Sequence, residues 1–122
     1  MWKLTLHLLF VFNFVSIYGQ ADFFEKGLAS FYANKFEGRK CSSGEIFRHV
    51  NLTAAHKTLR FGTKIKVTNL LNDSTVIVTI NDRLPKNSKC CIDLTLRGAK
   101  QLNFVAKGLA KVKIEVLKDS LP

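Results

Sequence analysis

The chain has 122 residues and a net charge of +10 at neutral pH, from 19 Lys and Arg against 9 Asp and Glu. That length holds one compact domain burying roughly 65% of its unfolded surface, and no Pro-, Gly- or Ser-rich linker, internal repeat or low-complexity run argues for a second. After residue 20 no apolar run approaches the roughly 20 residues that a membrane helix needs, which excludes a body made of membrane-spanning helices.

In chain order, residues 1–20 come first and read as a signal peptide. Lys3 supplies the positive start, Leu4 to Val15 the apolar stretch, and Ser16-Ile17-Tyr18-Gly19-Gln20 the small and polar residues of a cleavage region. The apolar stretch is too short to span a bilayer, so no transmembrane anchor is expected after cleavage. No cysteine follows the leader closely enough for lipid attachment, so the protein is expected to be exported to a periplasm or the cell exterior without a lipid anchor. Cleavage leaves residues 21–122, with 18 Lys and Arg against 9 Asp and Glu and a net charge of +9. Such a surface seeks polyanions, and export points to anionic envelope polymers rather than nucleic acid.

Within the mature chain, Gly27 to Tyr32 is a short candidate strand. Ile65 and Val67 alternate with Lys64, Lys66 and Thr68, and Val76, Val78 and Ile80 alternate with Thr75, Ile77 and Thr79. This period of two marks strands with one buried face, and Leu71-Asn72-Asp73-Ser74 between them has hairpin-turn composition. A helix is predicted between Thr95 and Asn103, capped by Asp93 or Thr95, with Leu96, Ala99 and Leu102 on one face. Val112, Ile114 and Val116 form a last alternating strand. Several short strands with one or two short helices in about a hundred residues predict a mainly β fold, a small barrel.

Three polar residues stand where the fold does not obviously demand them: Glu45, His56 and Asp82. Asp82 shares the parity of Val76, Val78 and Ile80, so it emerges where an apolar face ends, and Pro85 discourages further pairing. Partial desolvation there raises a carboxyl pKa and suits it to proton donation. Asn81-Asp82 is equally good turn chemistry, with the carboxylate capping backbone amides. Asp93, just before the helix, is read as a cap. Glycoside cleavage ordinarily uses two carboxyl groups, and Glu45 with Asp82 can form such a pair. His56 can orient a carboxyl, bind substrate, or satisfy a buried carbonyl. Phe31 and Tyr32 can stack on a sugar ring or pack in the core.

Cys41, Cys90 and Cys91 in an oxidising compartment make one disulfide plausible, between Cys41 and either Cys90 or Cys91, leaving one thiol over. Neighbouring cysteines rarely pair, because adjacent Cα atoms lie too close. A thiol hydrolase lacks any local nucleophile signature, and Cys41, His49, His56 and Cys90 lack the paired short spacings of a zinc site. Neither a metal nor another cofactor is expected.

Read together, these segments resemble the RlpA family of double-psi β-barrel proteins. The resemblance covers Gly27 to Leu117 and is carried above all by T-A-A-H-K-T-L-R-F-G-T at Thr53 to Thr63. It continues with V-T-N-L at Val67 to Leu70, N-D-R at Asn81 to Arg83 and I-D-L-T at Ile92 to Thr95. Supporting pieces are G-L-A-S-F-Y at Gly27 to Tyr32, S-G-E at Ser43 to Glu45 and V-K-I-E-V-L at Val112 to Leu117. It implies a six-stranded double-psi β-barrel over residues 21–122 with a groove lined by Glu45, His56 and Asp82. It further implies an endolytic peptidoglycan lytic transglycosylase that cleaves the MurNAc–GlcNAc bond of denuded strands and leaves 1,6-anhydro-MurNAc ends. Asp82 is then the catalytic acid and base, Glu45 and His56 assist, and Asn81, Arg83, Tyr32 and Thr53 bind substrate. The expected partner is the glycan strand, and the expected state a monomer. The family's usual N-D-R-G-P-F becomes N-D-R-L-P-K here, with Leu84 for Gly and Lys86 for the aromatic, and Cys90 replaces a common Arg. These departures favour an alternative, a non-catalytic glycan-binding or wall-loosening module of expansin type.

Overall fold

The computed structural model describes residues 24–118, so the expected signal peptide lies outside the described residues. Six strands form a closed barrel: β1 (Phe24–Phe31), β2 (Thr53–His56), β3 (Lys64–Asn69), β4 (Thr75–Arg83), β5 (Ile92–Leu94) and β6 (Ala110–Val116). Their order around the barrel is β1-β5-β2-β4-β3-β6. The β1–β5 and β2–β4 pairs are parallel and the other pairs antiparallel. This is the double-psi barrel that the family resemblance implies, and closure leaves no sheet edge unpaired. One helix, α1 (Leu96–Gln101), follows β5, and a short 3-10 turn spans Asn34–Phe36.

The alternating segments do what their pattern dictates. Ile65 and Val67 on β3, Val76, Val78 and Ile80 on β4, and Val112, Ile114 and Val116 on β6 all point inward and are buried, joined by Ala29, Ala54, Ile92 and Leu94. The β3–β4 turn closes through Asn69 N–H to the Ser74 carbonyl at 2.8 Å, with Asp73 in the left-handed region at φ 60°. Strands β2 and β5 carry too few residues for a period of two to show, and tertiary pairing creates them.

Helix α1 is shorter than its predicted span because Asn103 turns left-handed at φ 61° and ends it. Its cap is Thr95, whose hydroxyl accepts from the Gly98 N–H at 3.2 Å and donates to the Asn51 carbonyl at 2.6 Å. Asp93 is therefore not the cap. It lies on β5, three residues before Leu96, and its side chain belongs to the outside of the barrel. Among the described residues no helix is long and apolar enough to cross a membrane.

Candidate active site

One irregularity in the barrel decides where Asp82 points. Ala54 pairs with Ile80, but the next residue, Ala55, pairs with Asp82, so Asn81 is the extra residue of a bulge. Without the bulge Asp82 would continue the inward row of Val76, Val78 and Ile80. With it, Asp82 turns to the outer face, as bulges beside functional sites commonly re-aim a side chain. The parity that the sequence suggests is thus broken one residue before it matters. Asn81 itself is 3% exposed, and its Oδ1 has no partner. It shapes the groove by re-aiming Asp82 and presents no surface to a ligand.

The outer face carries one continuous row across four strands. Ser30 on β1 is level with Asp93 on β5, Asp93 with Ala55 on β2, and Ala55 with Asp82 on β4. Tyr32, one outward step beyond Ser30, lies along this row, and its hydroxyl donates to Asp82 Oδ2 at 2.7 Å. The segment after β1 folds over the row as a small hairpin, with Phe47 N–H donating to the Arg39 carbonyl at 2.7 Å and a bridge between Lys40 and Ile46. Its tip is pinned to Asp82, whose Oδ1 accepts from the Ser42 N–H at 2.8 Å and from the Arg83 N–H at 2.9 Å. Tyr32, Cys41, Phe47 and Ala55 make a second apolar cluster under this hairpin, flanked by Phe36 and Leu84.

These contacts set the protonation of the row. Burial pushes the Asp82 carboxyl up, but hydrogen bonds from Tyr32 and from the Ser42 and Arg83 amides outweigh it and hold Asp82 below the ordinary Asp range. The expectation of a raised Asp82 is therefore corrected: the donors win over desolvation. Asp93 behaves oppositely. Its burial, against a single hydrogen bond from the Ser30 hydroxyl at 3.0 Å and with the Asp82 charge nearby, pushes it up to about 6. Burial and the bond to Asp82 push the Tyr32 phenol far above its usual range, so it stays a donor.

The other sequence-predicted residues divide. Glu45 is exposed on the hairpin that covers the site, and its charge, with that of Asp82, adds to burial in pushing the Cys41 thiol up to about 11. Glu45 and Asp82 are brought to one neighbourhood, both close enough to Cys41 for their charges to act on it. His56 is not brought there. Adjacent to outward-facing Ala55, it turns inward, is 2% exposed, and closes one end of the barrel interior. Its Nε2 meets Glu25 Oε1 at 2.8 Å, and its Nδ1 accepts from the Thr58 and Leu59 amides at 3.1 and 3.0 Å. These bonds give the ring structural partners, and the His56 backbone carbonyl accepts from Arg83 at 3.3 Å.

Arg83 is committed to that carbonyl and to the Phe61 ring, 4.2 Å from its centroid. The faces of Tyr32 are covered by Phe47 at 4.2 Å and Phe36 at 5.9 Å, so it holds Asp82 and offers no platform for a sugar. Phe31 packs edge-on against Phe104. Thr53, partly buried at the start of β2, faces outward on the same strand as Ala55.

All three cysteines are free. The expected bond from Cys41 to Cys90 or Cys91 is not made because Cys41 packs under the outer hairpin while Cys91 belongs to the main core. Burial first, then the Glu25 charge, push the Cys91 thiol up to about 11, which suits neither buried thiol to nucleophilic work. A depression of about 480 Å³ lined by Leu28, Leu70, Leu71, Phe104 and Leu109 is apolar and has no acid in its lining. The carboxyl groups of the candidate site lie on the Ser30–Asp93–Ala55–Asp82 row instead.

Residues 24–114 match the lytic transglycolase family. The chain belongs to that family. It is 45% identical over 96 residues to the endolytic peptidoglycan transglycosylase RlpA of Haemophilus influenzae, covering 79% of this chain and 33% of that protein. It is 46% identical over 91 residues to the Campylobacter jejuni protein of the same name, covering 75% of this chain and 33% of the relative. The chain thus spans about a third of the length of these relatives. Among solved structures, a Streptomyces papain inhibitor superposes with a TM-score of 0.64 at 15% identity, covering 80% of this chain and 97% of that one. A Clavibacter michiganensis expansin superposes with a TM-score of 0.62 at 17% identity, covering 82% and 53%. At such identities these two likenesses speak for the lytic transglycolase family's barrel fold alone.

Asp93 is the residue that sequence reasoning misplaced. It sits in the I-D-L-T segment, and its nearness to a helix start suggested a cap. The available signal was Thr95, a better cap by type and spacing, which leaves Asp93 without a structural task between two buried apolar neighbours.

Proposed function

We propose that this domain is an endolytic lytic transglycosylase acting outside the cytoplasm on peptidoglycan, cleaving MurNAc–GlcNAc bonds and leaving 1,6-anhydro-MurNAc ends. The observation that carries the reading is Asp82, turned outward by the bulge and held ionised by three donors beneath a covering hairpin. A carboxylate so held is a competent base for the C6 hydroxyl of muramic acid, which attacks its own anomeric carbon without water. The names of the relatives support the same substrate. Glu45, exposed above the row, contributes to substrate contact, as does outward-facing Thr53. The net charge of +10 favours an anionic wall over a neutral glycan. Denuded strands are the preferred substrate, and the domain works as a monomer.

Two observations favour a second reading, a glycan-binding module without turnover. A carboxyl held below its ordinary range donates protons poorly, and Leu84 packs into the cluster beside it where the family carries Gly. The test is mass spectrometry of soluble products after incubating the purified protein with peptidoglycan and with amidase-stripped strands, beside Asp82→Asn. Anhydro-ended fragments that vanish in the variant support the enzyme. Pelleting with glycan and no fragments supports the binding module.

A further inference from the structure

The reaction proposed above needs a proton for the leaving glycosidic oxygen, and Asp82 is set to accept protons. We infer that Asp93 is that proton donor, because it shares the outward-facing row with Asp82, one strand beyond Ala55. The inference rests on the lytic reading and divides between two carboxyls what a single one would otherwise do in turn.

The geometry carries it. Neighbouring strands lie about 4.8 Å apart, so Asp93 and Asp82, two strands apart in one row, have Cα atoms on the order of 10 Å apart, a separation at which two partly exposed carboxyls can reach one glycosidic linkage lying over the row. Ala55, the residue between them, is buried beneath Tyr32, whose hydroxyl crosses it to Asp82, while Asp93 and Asp82 themselves keep partial exposure. The groups facing Asp93 are Ser30 on β1, Tyr32 just beyond it, and Asp82 on β4. From β2 only Ala55 faces it, and none of these groups is a cation. Nothing there holds Asp93 ionised except one hydroxyl, whereas Asp82 has three donors. Environments that push two carboxyls apart assign acid and base, and the value of about 6 for Asp93 keeps a useful protonated fraction in mildly acidic to neutral conditions.

The step balances. The C1–O4 bond breaks with its electron pair going to the oxygen of the leaving GlcNAc, and Asp93 supplies the proton that makes this the 4-hydroxyl. The C6 oxygen of MurNAc bonds to C1, and its proton passes to Asp82. Solvent then returns one proton from Asp82 to Asp93, and no water is consumed.

The experiment is a set of pH–rate profiles for wild type, Asp93→Asn and Ser30→Ala on stripped glycan strands and on a muramyl substrate with a 4-nitrophenyl leaving group, with near-UV circular dichroism to confirm folding. Wild type should lose rate as pH rises through about 6, when Asp93 gives up its proton. Asp93→Asn should lose about 10²- to 10³-fold on strands and stay within about tenfold on the activated substrate, which needs no acid. Ser30→Ala removes the hydrogen bond that lowers Asp93, so its alkaline limb should move to higher pH. An Asp93→Asn protein that is folded and within tenfold of wild type on strands, or equally impaired on both substrates, would overturn the inference while leaving the lytic reading intact. A wild type that releases no anhydro fragments would overturn the lytic reading itself.

Discussion

The Tyr32 hydroxyl reaches across Ala55 to donate a 2.7 Å hydrogen bond to Asp82. That bond ties the end of β1 to the end of β4, strands that are not neighbours in the barrel. Phe36 and Phe47 pack against its ring, so the phenol is fixed before any ligand arrives.

Removing that hydroxyl isolates the bond. Tyr32→Phe keeps the packing and leaves Asp82 with only its two backbone donors. A hydrogen bond to a charged group contributes about 1.5–3 kcal/mol, and loss of stability at pH 7 should fall near the lower end because Asp82 is partly exposed. The sign with pH follows from Asp82 being depressed: its stabilising contribution is present above the ordinary value of 3.8 and is lost as pH falls through the folded value. Urea denaturation of both proteins should therefore show the gap closing in acid. A gap independent of pH would mean that the phenol stabilises by packing alone.

Asp93 gives the opposite slope. Its folded pKa of about 6 lies above the ordinary 3.8, so the folded state binds the extra proton between these values and stability declines as pH rises through that window. Two units correspond to about 2–3 kcal/mol. Asp93→Asn keeps an acceptor for Ser30 and cannot ionise, so it should match wild type near pH 3.5 and exceed it by about 2 kcal/mol at pH 7. Equal stability at pH 7 would show that Asp93 is better solvated than its burial implies.

The contrast between these two acids shows what was legible in the sequence. Inward rows such as Val76, Val78 and Ile80 were readable because alternation records which face is buried. The family motifs pointed to Asp82. The bulge at Asn81 was not readable, because one extra residue leaves no trace in composition yet reverses every side chain after it. His56 misled for a related reason: in T-A-A-H the histidine is one residue past Ala55, and one residue is the difference between the outer groove and the barrel interior. Asp93 was hidden by β5, whose three residues are too short to show a period.

His56 should accordingly act on stability. His56→Ala strands the Glu25 carboxylate and the Thr58 and Leu59 amides, and opens a void at the barrel end. We expect a loss of about 2–4 kcal/mol in chemical denaturation. For the protein that remains folded, the rate on glycan strands should change less than tenfold. A hundredfold loss in a fully folded variant would place His56 in the chemistry after all.

The three free thiols should differ in reactivity. Cys90 is partly exposed, while Cys41 and Cys91 are buried and both pushed up to about 11. Iodoacetamide at pH 7.5 should label Cys90 first, and denaturant without reductant should bring labelling to all three. Labelling of a single cysteine in denaturant would reveal a disulfide.

Gly27 and Cys91 supply the last test, of the seam between β1 and the segment leading into β5. A Cβ built on Gly27 would stand 2.9 Å from the Cys91 Sγ and 3.1 Å from its Cβ. Sγ belongs to a short side chain buried in the main core, with little freedom to move away. Gly27 is therefore required by close approach rather than by backbone conformation, and Gly27→Ala should cost about 1–3 kcal/mol through overpacking. Cys91→Ala removes the nearer atom, so the double variant should be less destabilised than the sum of the singles, by about 1 kcal/mol of coupling. Strict additivity in thermal or urea unfolding would mean that the clash is relieved by strand movement and that the sulfur does not set the spacing there.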